Sequence, residues 1–547
     1  MVFGGEPFLR DSDVSASLLS LVERDSLVIY CGAGVTRDRT NLGWNELVGA
    51  VFSEVKKRKG RDRTRDSVLE IALRDGAIDP KHKASIVTQD CQKSLEEENQ
   101  LLAPMLRKAL YATHGWQQGY LLRNVIRLSV LYAVQGRRIS IVTSNYDDYI
   151  DRKLQQEIDD QFAGAAPDDP TPGLRVNVLG NPHYQEVLKE PTNGASYIDV
   201  HFIHGRVPKS GRTRGTIVFS ENSYSLSRRQ VVDFLIGQFN AGSTFLSVGA
   251  SLNDEPLIEA LIRTRPVDTT RVALVVPGAT DSSTREAEAL AQKVRGDHMR
   301  VSVLTPDSFA QVAQYVDELR VCAAARELGV LDQHEPVFCY SKRLEWWWQE
   351  WSHSNWSRRR DRHYRLLSES VAQIRQFFQV NGIVRPSGRD EEVLRLELWI
   401  RIDPSVSRDR RKFTLFANST GPLLGPFEAM RSEQIRPGSS IAAIRTFMEG
   451  RPQLYDLHDL GYSSQASRWK SFLSVPIFQE LGYEVDGAFF TGAVPVAVVT
   501  LTSTLPTKAS DSKKSVSSFA DPVLTNDHYV ELLAHMIGVG REITSLK

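Results

Sequence analysis

The chain has 547 residues, a length that predicts two to four domains rather than one. Its 67 basic residues balance its 67 acidic residues, which argues against a protein dedicated to nucleic acid or to a membrane surface. No apolar run approaches the roughly 18 residues of a membrane span, and the N-terminus lacks a signal-like apolar core, so we expect a soluble, cytoplasmic protein.

The first informative segment is a glycine loop that follows a short strand. Leucine and valine residues at helical spacing predict a leading helix over residues 12–24, and the apolar run at residues 27–30 predicts a buried parallel strand. Gly32-Ala33-Gly34 comes directly after this strand. Glycines let the backbone approach a bulky group, and a loop that opens a helix offers unpaired N–H groups to an anion. The segment is therefore either a pyrophosphate site or a plain strand-to-helix turn.

The next stretch sets this loop apart from an ordinary dinucleotide fingerprint. Arg37 stands where such a fingerprint has its third glycine, which argues against a dehydrogenase of the Rossmann type. Apolar residues at helical spacing then recur among many charges between residues 56 and 136, and we interpret this range as a helical insertion over the site. The basic run at residues 56–65 is interpreted as a solvated helix face rather than an RNA contact.

A second buried strand is predicted at residues 139–143, and polar residues follow it. Ser144, Asn145 and Asp147 come directly after the apolar run. In an open α/β sheet the ligand crevice lies outside the carboxyl ends of the strands. We therefore expect these three side chains to lie beside the glycine loop.

The third strand carries two histidines. After a loop rich in Pro, Gly and Asp, at residues 163–181, a strand over residues 197–203 contains His201 and leads to His204. Strand alternation places the two imidazoles on opposite faces, which argues against a shared metal. His204 is placed like a polar catalytic group, whereas His201 is typical of a core or surface histidine. The four cysteines are scattered without a C-x-x-C pair, so we expect neither zinc nor a disulfide framework.

The remaining strands complete a predicted α/β sheet. Residues 216–219 and 244–254 repeat the order of strand, small residues and helix, and residues 271–277 and 301–304 supply two further strands. Strands that alternate with helices predict a doubly wound parallel sheet, whose glycine-rich strand ends share one edge.

Four signatures occur in order along this half: Gly32-Ala33-Gly34-Val35-Thr36, then Thr-Ser-Asn-Tyr-Asp at residues 143–147, then His204-Gly205, then Gly249-Ala250-Ser251. Together they resemble the sirtuin superfamily over residues 12–320, and most closely the divergent bacterial sirtuin-like effectors of antiphage defence that consume NAD. The resemblance implies a sirtuin-like variant of the Rossmann fold with an NAD site.

The resemblance also implies roles for individual residues. Gly32, Ala33 and Gly34 would lie under the pyrophosphate, with Thr36 and Ser144 among the cofactor-binding residues, and Gly249 and Ser251 would lie near the adenosine half. Asn145 and His204 would flank the nicotinamide ribose, and Asp147 matches the acidic residue of the family beside that pocket. NAD would be the substrate.

Two departures from the family argue against protein deacylation. Leu42-Gly43-Trp44-Asn45 stands where a deacylase has Gly-Ile-Pro-Asp-Phe-Arg, and the cysteine spacing excludes the four-cysteine zinc module. Cleavage of NAD remains chemically sound, because the bond to nicotinamide breaks through an oxocarbenium-like state with a leaving group that is already cationic. Asn145 can hold a water against the anomeric carbon, and His204 can accept a proton. An NAD-dependent deacylase and a non-enzymatic NAD or ADP-ribose sensor remain the alternatives.

Residues 326–375 predict a helical connector rich in tryptophan. Trp347 and Trp351, one helical turn apart, are predicted to pack against a neighbouring domain or subunit, although aromatics beside arginines can also stack bases.

The last part of the chain, residues 376–547, changes to alternating strands. They are predicted at residues 394–402, 413–417, 471–477 and 494–502, and a closing helix capped near Asn526 and Asp527 follows. This pattern resembles a GAF-type sensor domain of the α+β class, which implies a small-molecule ligand such as a cyclic nucleotide or a dimer scaffold. We expect residues 1–325 to hydrolyse NAD to nicotinamide and ADP-ribose, the sensor to control or assemble them, and the protein to be a homo-oligomer.

Overall fold

A computed structural model describes most of the chain, with gaps in several connections. The described residues are 8–57, 70–71, 73, 78, 80–88, 95–111, 119–162, 173–180, 197–240, 242–264, 269–331, 339–353, 356–383, 392–402, 412–421, 431–462, 468–485, 487–508, 516–520 and 524–546.

The first domain is built on a seven-stranded, all-parallel sheet with the strand order β3-β4-β2-β1-β5-β6-β7. Its strands are β1 (Ser26–Cys31), β2 (Arg138–Thr143), β3 (Arg175–Leu179), β4 (Tyr197–Phe202), β5 (Thr244–Val248), β6 (Arg271–Leu274) and β7 (Ser302–Leu304). The chain passes to one side of β1 for β2 and to the other side for β5, so the topological switch point lies at β1, where open α/β sheets bind ligands. The predicted Rossmann-like parallel α/β class is confirmed.

Helices cover both faces of this sheet, as a parallel sheet requires. One face packs against α1 (Ser12–Val22), α6 (Tyr120–Val134), α7 (Tyr149–Phe162) and α11 (Phe309–Glu327). The other face packs against α8 (Glu221–Asn240), α9 (Glu255–Arg263) and α10 (Ser282–Met299). Among the described residues, no helix is long and apolar enough to cross a membrane.

A separate cluster of helices lies at the carboxyl edge of the sheet. A short helix, α2 (Arg37–Thr40), follows the glycine loop, and α3 (Trp44–Lys56), α4 (Pro80–Thr88) and α5 (Leu95–Tyr111) share an apolar cluster of their own. Within the predicted insertion at residues 56–136, α4 and α5 belong to this cluster, whereas most of α6 packs in the core of the sheet. The basic run at residues 58–65 lies outside the described residues.

Two strand assignments made from sequence were wrong. Residues 216–219 form no strand; Ile217, Val218 and Phe219 are buried apolar residues in an irregular segment, and the Val218 N–H donates to the carbonyl of His204. A buried apolar segment has the same sequence pattern as a strand even when its backbone is irregular. Conversely, β3 lies inside the predicted loop at 163–181, because an edge strand of mixed polarity lacks a clear apolar signal.

The second domain is an α+β unit with a curled, six-stranded antiparallel sheet in the order β10-β9-β8-β13-β12-β11. Its strands are β8 (Leu394–Ile402), β9 (Lys412–Asn418), β10 (Ser432–Gln434), β11 (Gln453–Asp456), β12 (Ser471–Val485) and β13 (Ala488–Ser503). The helices α12 (Cys339–His353), α13 (Trp356–Val380) and α15 (Asn526–Thr544) pack on one face, and α14 (Ala442–Glu449) packs on the other. The N-cap of α15 is Thr525, whose hydroxyl accepts from the His528 N–H, rather than Asn526 or Asp527.

The tryptophans of α12 join the connector to the last helix of the chain. The rings of Trp347 and Trp351 stack with centroids 5.4 Å apart, and both side chains are buried. Their indole N–H groups donate to the carbonyls of Thr544 and Ile543, at 2.9 and 3.1 Å. The predicted packing role is confirmed for this pair, and a buried pair cannot stack bases.

The substitution Trp347→Ala is expected to lower the free energy of unfolding by about 3–5 kcal/mol, because it empties a buried aromatic site and leaves the Thr544 carbonyl without its donor. Trp346→Ala is the matched control, since the side chain of this neighbouring tryptophan is 43% exposed. We expect the control to lower stability by only about 1 kcal/mol, because the ring is about half in water in the folded protein. Denaturant unfolding of both variants measures the difference, and equal stability of the two would contradict this packing.

Contacts between the domains run from α6 and α11 to the second sheet. The ring of Tyr120 stacks on Phe478 of β12 with centroids 3.6 Å apart. The Arg320 guanidinium of α11 donates to the carbonyl of Thr491 in β13 at 2.6 Å. The carboxyl edge of the parallel sheet therefore lies within reach of the second domain.

Candidate functional site

The two glycine loops after β1 and β5 contact each other through their backbones. The Gly34 N–H donates to the carbonyl of Gly249 at 2.9 Å, and the Gly32 N–H donates to the carbonyl of Val248 at 3.0 Å. A Cβ atom added to Gly32 would lie 2.5 Å from the Gly249 oxygen, and one on Gly34 would lie 2.8 Å from the Gly249 Cα. The glycines therefore permit the close approach of two loops, and these two N–H groups are not unpaired as the sequence suggested.

Gly249 is the position where this packing is strictest. Its φ of +65° is in the left-handed region, and an added Cβ would lie 2.6 Å from the Val35 nitrogen. We expect Gly249→Ala to destabilise the fold by roughly 2–4 kcal/mol, because the new methyl group is both strained and crowded. Gly237→Ala on the exposed side of α8, where an added Cβ meets nothing within 4 Å, is expected to stabilise by up to about 1 kcal/mol. Thermal unfolding distinguishes the two, and a neutral Gly249→Ala would contradict the proposed packing.

Three of the predicted site residues form one chain of buried hydrogen bonds. The Asn145 Nδ2 donates to the Gly32 carbonyl and to the Thr36 Oγ1, both at 3.1 Å. The Thr36 hydroxyl in turn donates to the Asp147 Oδ2 at 2.8 Å. The other carboxylate oxygen of Asp147 accepts from the Tyr149 N–H. Asp147 and Thr36 thus use their polar atoms within the protein and position Asn145 against the glycine loop.

Burial raises the pKa of Asp147 from 3.8 to about 7, although the hydrogen bond from Thr36 opposes the shift. Between these pH values the folded protein keeps a proton that the unfolded chain has lost, so this carboxyl makes folding less favourable as the pH rises from about 4 to about 7. We expect the stability of Asp147→Asn relative to wild type to increase by about 4 kcal/mol over this window.

The control for this prediction has the opposite sign. Asp281 caps α10 on the surface, and the hydrogen bonds donated by Thr284 and Ser283 lower its pKa. Its contribution to stability is present at neutral pH and is lost as the pH falls, so Asp281→Asn should become less stable relative to wild type as the pH rises. Chemical unfolding at pH 4, 5.5, 7 and 8 measures both trends. If the difference in unfolding free energy between Asp147→Asn and wild type did not change with pH, the assignment of a buried, ionisable carboxyl would be wrong.

His204 lies in a second buried cluster, after β4. Its Nε2 lies 3.2 Å from the Asp254 Oδ2, which also accepts from the Tyr30 hydroxyl at 2.6 Å, and the Tyr224 hydroxyl lies 3.3 Å from the same Nε2. The Nδ1 of His204 is buried without a hydrogen-bond partner among the described residues. Burial would raise the pKa of Asp254, but the charge of His204 and the hydrogen bonds from His204 and Tyr30 lower it below its ordinary value. In the neutral imidazole with its Nε2 hydrogen directed at Asp254, the Nδ1 is left to accept a proton.

The two clusters lie on adjacent strands at the same edge of the sheet. Thr143 of β2 pairs with Phe202 of β4, and Asn145 and His204 each follow two residues later. Both clusters also connect to β1, through Gly32 and Tyr30 respectively. His201 is buried against Phe234, and burial lowers its pKa to about 4. The structure therefore places Asn145 against the glycine loop, His204 at the end of the neighbouring strand and His201 in a buried position below this edge.

A cavity of about 280 Å³ is lined by the glycine loops after β1 and β5. Four predicted cofactor-binding residues line it, namely Ala33, Gly34, Gly249 and Ser251. The strand ends at Leu274–Val276, the start of α11 and part of the second domain complete its wall. Its volume is at the lower end of the range for small-molecule sites. Ser144 and Thr36 do not line this cavity and lie with the buried clusters instead.

Several site residues were missed in the sequence. Tyr30 and Tyr224 contact His204 or its partner, but aromatic residues in apolar segments give no polar signal. Asp254 stands five residues after Gly249, and its place directly before α9 was the available clue. Asp38 lines the cavity and was hidden in a charged run.

The helical insertion covers the His204 cluster from outside. The Lys81 Nζ of α4 lies 4.8 Å over the Tyr224 ring and 2.9 Å from a carboxylate oxygen of Glu255. The Ser85 hydroxyl accepts from the Glu221 N–H at the start of α8. These contacts join α4, which lies in the predicted insertion, to the helices around His204.

A second cavity, of about 310 Å³, lies between the antiparallel sheet and α14. Two arginines stack over tryptophans in its wall: Arg395 lies 4.4 Å from the ring centre of Trp469, and Arg431 lies 5.5 Å from that of Trp399. Trp399 also donates to Glu397 at 2.9 Å. Arg395 also forms an ion pair with Glu397, and the Arg431 Nε lies 3.6 Å from a Glu433 oxygen. Aromatic faces beside guanidinium groups suit a planar ligand, although these carboxylates offset part of the positive charge.

The fold and site define a Rossmann-like α/β domain joined to an α+β domain, with polar clusters at the carboxyl edge of the parallel sheet. Neither a protein-family model nor a curated protein matches this chain.

Proposed function

We propose that this protein is an NAD⁺ glycohydrolase, which cleaves NAD⁺ to nicotinamide and ADP-ribose. The observation that carries the proposal is the pairing of two groups at the switch point of the sheet. One is the Asn145 carboxamide, anchored on Gly32, and the other is the unpartnered Nδ1 of His204, whose Nε2 faces Asp254. Asn145 bonds to the glycine loop after β1, and Asp254, the partner of His204, follows the glycine loop after β5.

The two groups fit the chemistry of this bond. Both hydrogens of the Asn145 amide are used by Gly32 and Thr36, so its Oδ1 is the atom that would accept a hydrogen bond from a water or a ribose hydroxyl. His204 would take a proton from that water or hydroxyl through Nδ1 while Asp254 stabilises the resulting imidazolium. The departing nicotinamide leaves as a neutral molecule, so the site needs no strong acid.

The cavity beside the glycine loops would hold the adenosine half of NAD, in agreement with the sirtuin-like order of motifs. The N–H groups of Gly32 and Gly34 already donate to Val248 and Gly249. The phosphates would therefore contact other atoms of the loop and the arginines near it. Asp147 and Thr36 would act as positioning residues, because their polar atoms bond within the protein.

The second domain would act as a GAF-type sensor. Its ligand would occupy the cavity between the sheet and α14, where stacked arginines and tryptophans suit a cyclic nucleotide. An enzyme that drains NAD must be held inactive in its own cell. We infer that the resting state is maintained by the insertion over His204, by packing in a homo-oligomer or by an empty sensor, and that the protein is a cytoplasmic effector of antiphage defence.

The test is to incubate the purified full-length chain with NAD⁺, with and without cyclic nucleotides, and to follow nicotinamide by chromatography. Release without any acylated peptide supports the hydrolase, whereas release only with such a peptide supports a protein deacylase. Binding of NAD⁺ or ADP-ribose without release under all conditions supports a sensor. Full activity of the chain alone would discard regulation by the second domain.

The role in defence is tested separately in bacteria. Cells that express the wild-type chain should lose NAD⁺ and restrict phage growth after infection, whereas cells with His204→Ala should do neither. Equal protection by both chains would refute an effector that acts by NAD depletion.

A further inference from the structure

The wall of the first cavity is completed by the second domain. The segment Glu449, Gly450 and Arg451 at the C-terminal end of α14 faces the glycine loops, and Phe478 and Ala493 of the second sheet lie beside it. Gly450 has a φ of +68°, which ends α14, and an added Cβ there would lie 3.2 Å from the Ala310 side chain. The turn that presents Arg451 is thus packed against α11 of the first domain.

The polar groups of this cavity are not all paired. The Oε1 of Gln314 is buried and makes no hydrogen bond to the described residues. The Asp38 carboxylate is also buried and accepts from no other side chain among the described residues. Burial raises the pKa of Asp38 to about 6, although the charges of Arg39 and Arg451 and nearby backbone N–H groups oppose the shift. The Arg39 Nε lies 3.8 Å from the carboxylate, which is beyond hydrogen-bond distance. Gln314 is only 5% exposed and also lines the cavity. Buried acceptors without donors favour a ligand that supplies hydroxyl or amino hydrogens, as a nucleoside does.

Arg451 supplies the complementary positive charge. Its Nη1 donates to the Asn41 Oδ1 at 2.7 Å, and its Nε lies 3.5 Å from a Glu449 oxygen. These contacts hold the guanidinium, only 14% exposed, beside the glycine loop, and they leave Nη2 without a partner among the described residues. Arg37 lines the same wall. A fixed guanidinium beside a glycine loop is suited to a phosphate oxygen.

We propose that Arg451 is a nucleotide-binding residue, so that the second domain supplies part of the site that binds the ADP-ribose portion of the substrate. This inference rests on the proposed function for the identity of the nucleotide. It assigns Arg451 to a phosphate, and the buried acceptors of Asp38 and Gln314 to ribose or adenine hydrogens.

The position of α14 gives this assignment a regulatory meaning. The N-terminal end of the helix, at Ile441 to Ala443, lines the second cavity, and its C-terminal end carries Arg451 into the first. An eight-residue helix spans only about 12 Å. A ligand that moves the N-terminal end of α14 would therefore move a nucleotide contact directly.

The experiment measures ADP-ribose affinity by calorimetry on the full chain, which requires no turnover. Arg451→Gln is expected to weaken binding roughly 10- to 100-fold, because it removes a charge-assisted contact. Arg375→Gln removes an exposed arginine of α13, in the same domain and outside this cavity, and should bind as the wild type does. Asn41→Gly suits the φ of +53° at that position. It removes the hydrogen bond that Asn41 accepts from Arg451 and leaves the guanidinium in place. It should lose much less affinity than Arg451→Gln.

Each outcome bears on one proposal. Equal affinity of Arg451→Gln and wild type, or an equal loss in Asn41→Gly and Arg451→Gln, would overturn the nucleotide contact while leaving the hydrolase intact. Binding that depends on Arg451 in a protein that never releases nicotinamide would uphold the contact and refute the hydrolase. A wild-type chain that binds no ADP-ribose refutes the contact. Thermal unfolding of every variant shows whether a loss of affinity reflects misfolding.

Discussion

Replacing His204 by alanine is expected to lower the rate of nicotinamide release by about 100-fold or more, because a positioned general base contributes about that much. The imidazole is 1% exposed and its Nδ1 has no partner among the described residues, so it is the group placed to take the proton. The Asp254 carboxylate is a weaker base, because its partners lower its pKa below the ordinary value. Tyr30 and Tyr224 remain protonated, since burial raises the pKa of both well above the ordinary value. The measurement is the initial rate of nicotinamide release under activating conditions.

Two variants separate chemistry from folding at this position. In His204→Asn, the side-chain amide can still donate to Asp254 but has no nitrogen that can accept a proton, so it should fold well and remain as slow as the alanine variant. His298→Ala removes an exposed imidazole from α10 and should leave the rate unchanged. A His204→Asn protein that keeps more than about a tenth of the wild-type rate contradicts the assignment of the base.

Replacing Asn145 by alanine is expected to reduce the turnover number by a similar factor, about 100-fold, with a smaller change in the KM for NAD⁺. The amide nitrogen holds the side chain on Gly32 and Thr36, and the oxygen is the group proposed to position the attacking water. Its loss should raise the barrier to hydrolysis while the cavity that binds the adenosine half is preserved.

The control is an amide with a structural bond elsewhere in the same sheet. Asn177 of β3 donates to Asp199 at 3.0 Å, so Asn177→Ala loses an amide hydrogen bond on the edge strand. It should alter stability slightly and leave turnover unchanged. ADP-ribose binding in Asn145→Ala should be retained within a few-fold. If Asn145→Ala and His204→Ala both kept wild-type turnover, the site would have to be sought elsewhere.

The elements predicted correctly are those with a strong local signal. The sequences of β1, β2, β5 and β13 are continuous apolar runs. A strand that is buried on both faces of its sheet requires such a run. The helical spacing of Trp347 and Trp351 likewise indicated a buried stripe. Parallel strands that alternate with helices share one carboxyl edge. The sequence alone therefore predicts that Gly32, Asn145 and His204, which follow three such strands, lie along the same edge of the sheet.

The failures concern residues whose environment comes from distant parts of the chain. Residues 216–219 are as apolar as a strand, but their backbone bonds to a loop, and β3 is a strand only because β4 pairs with it. The pairing of Asp254 with His204 joins residues 50 positions apart. No periodicity reports such a contact.

The sequence by itself determined the parallel α/β class, the order of the motifs along one sheet edge and the alternating pattern of the second domain, because periodic burial and backbone geometry are local properties. Only the tertiary structure decided which groups are paired. It uses the Gly32 and Gly34 N–H groups between the loops, leaves the His204 Nδ1 without a partner among the described residues, and brings Arg451 to the first cavity. Hydrogen bonding and desolvation depend on the partners that folding brings together, and those partners here come from strands and domains far apart in the chain.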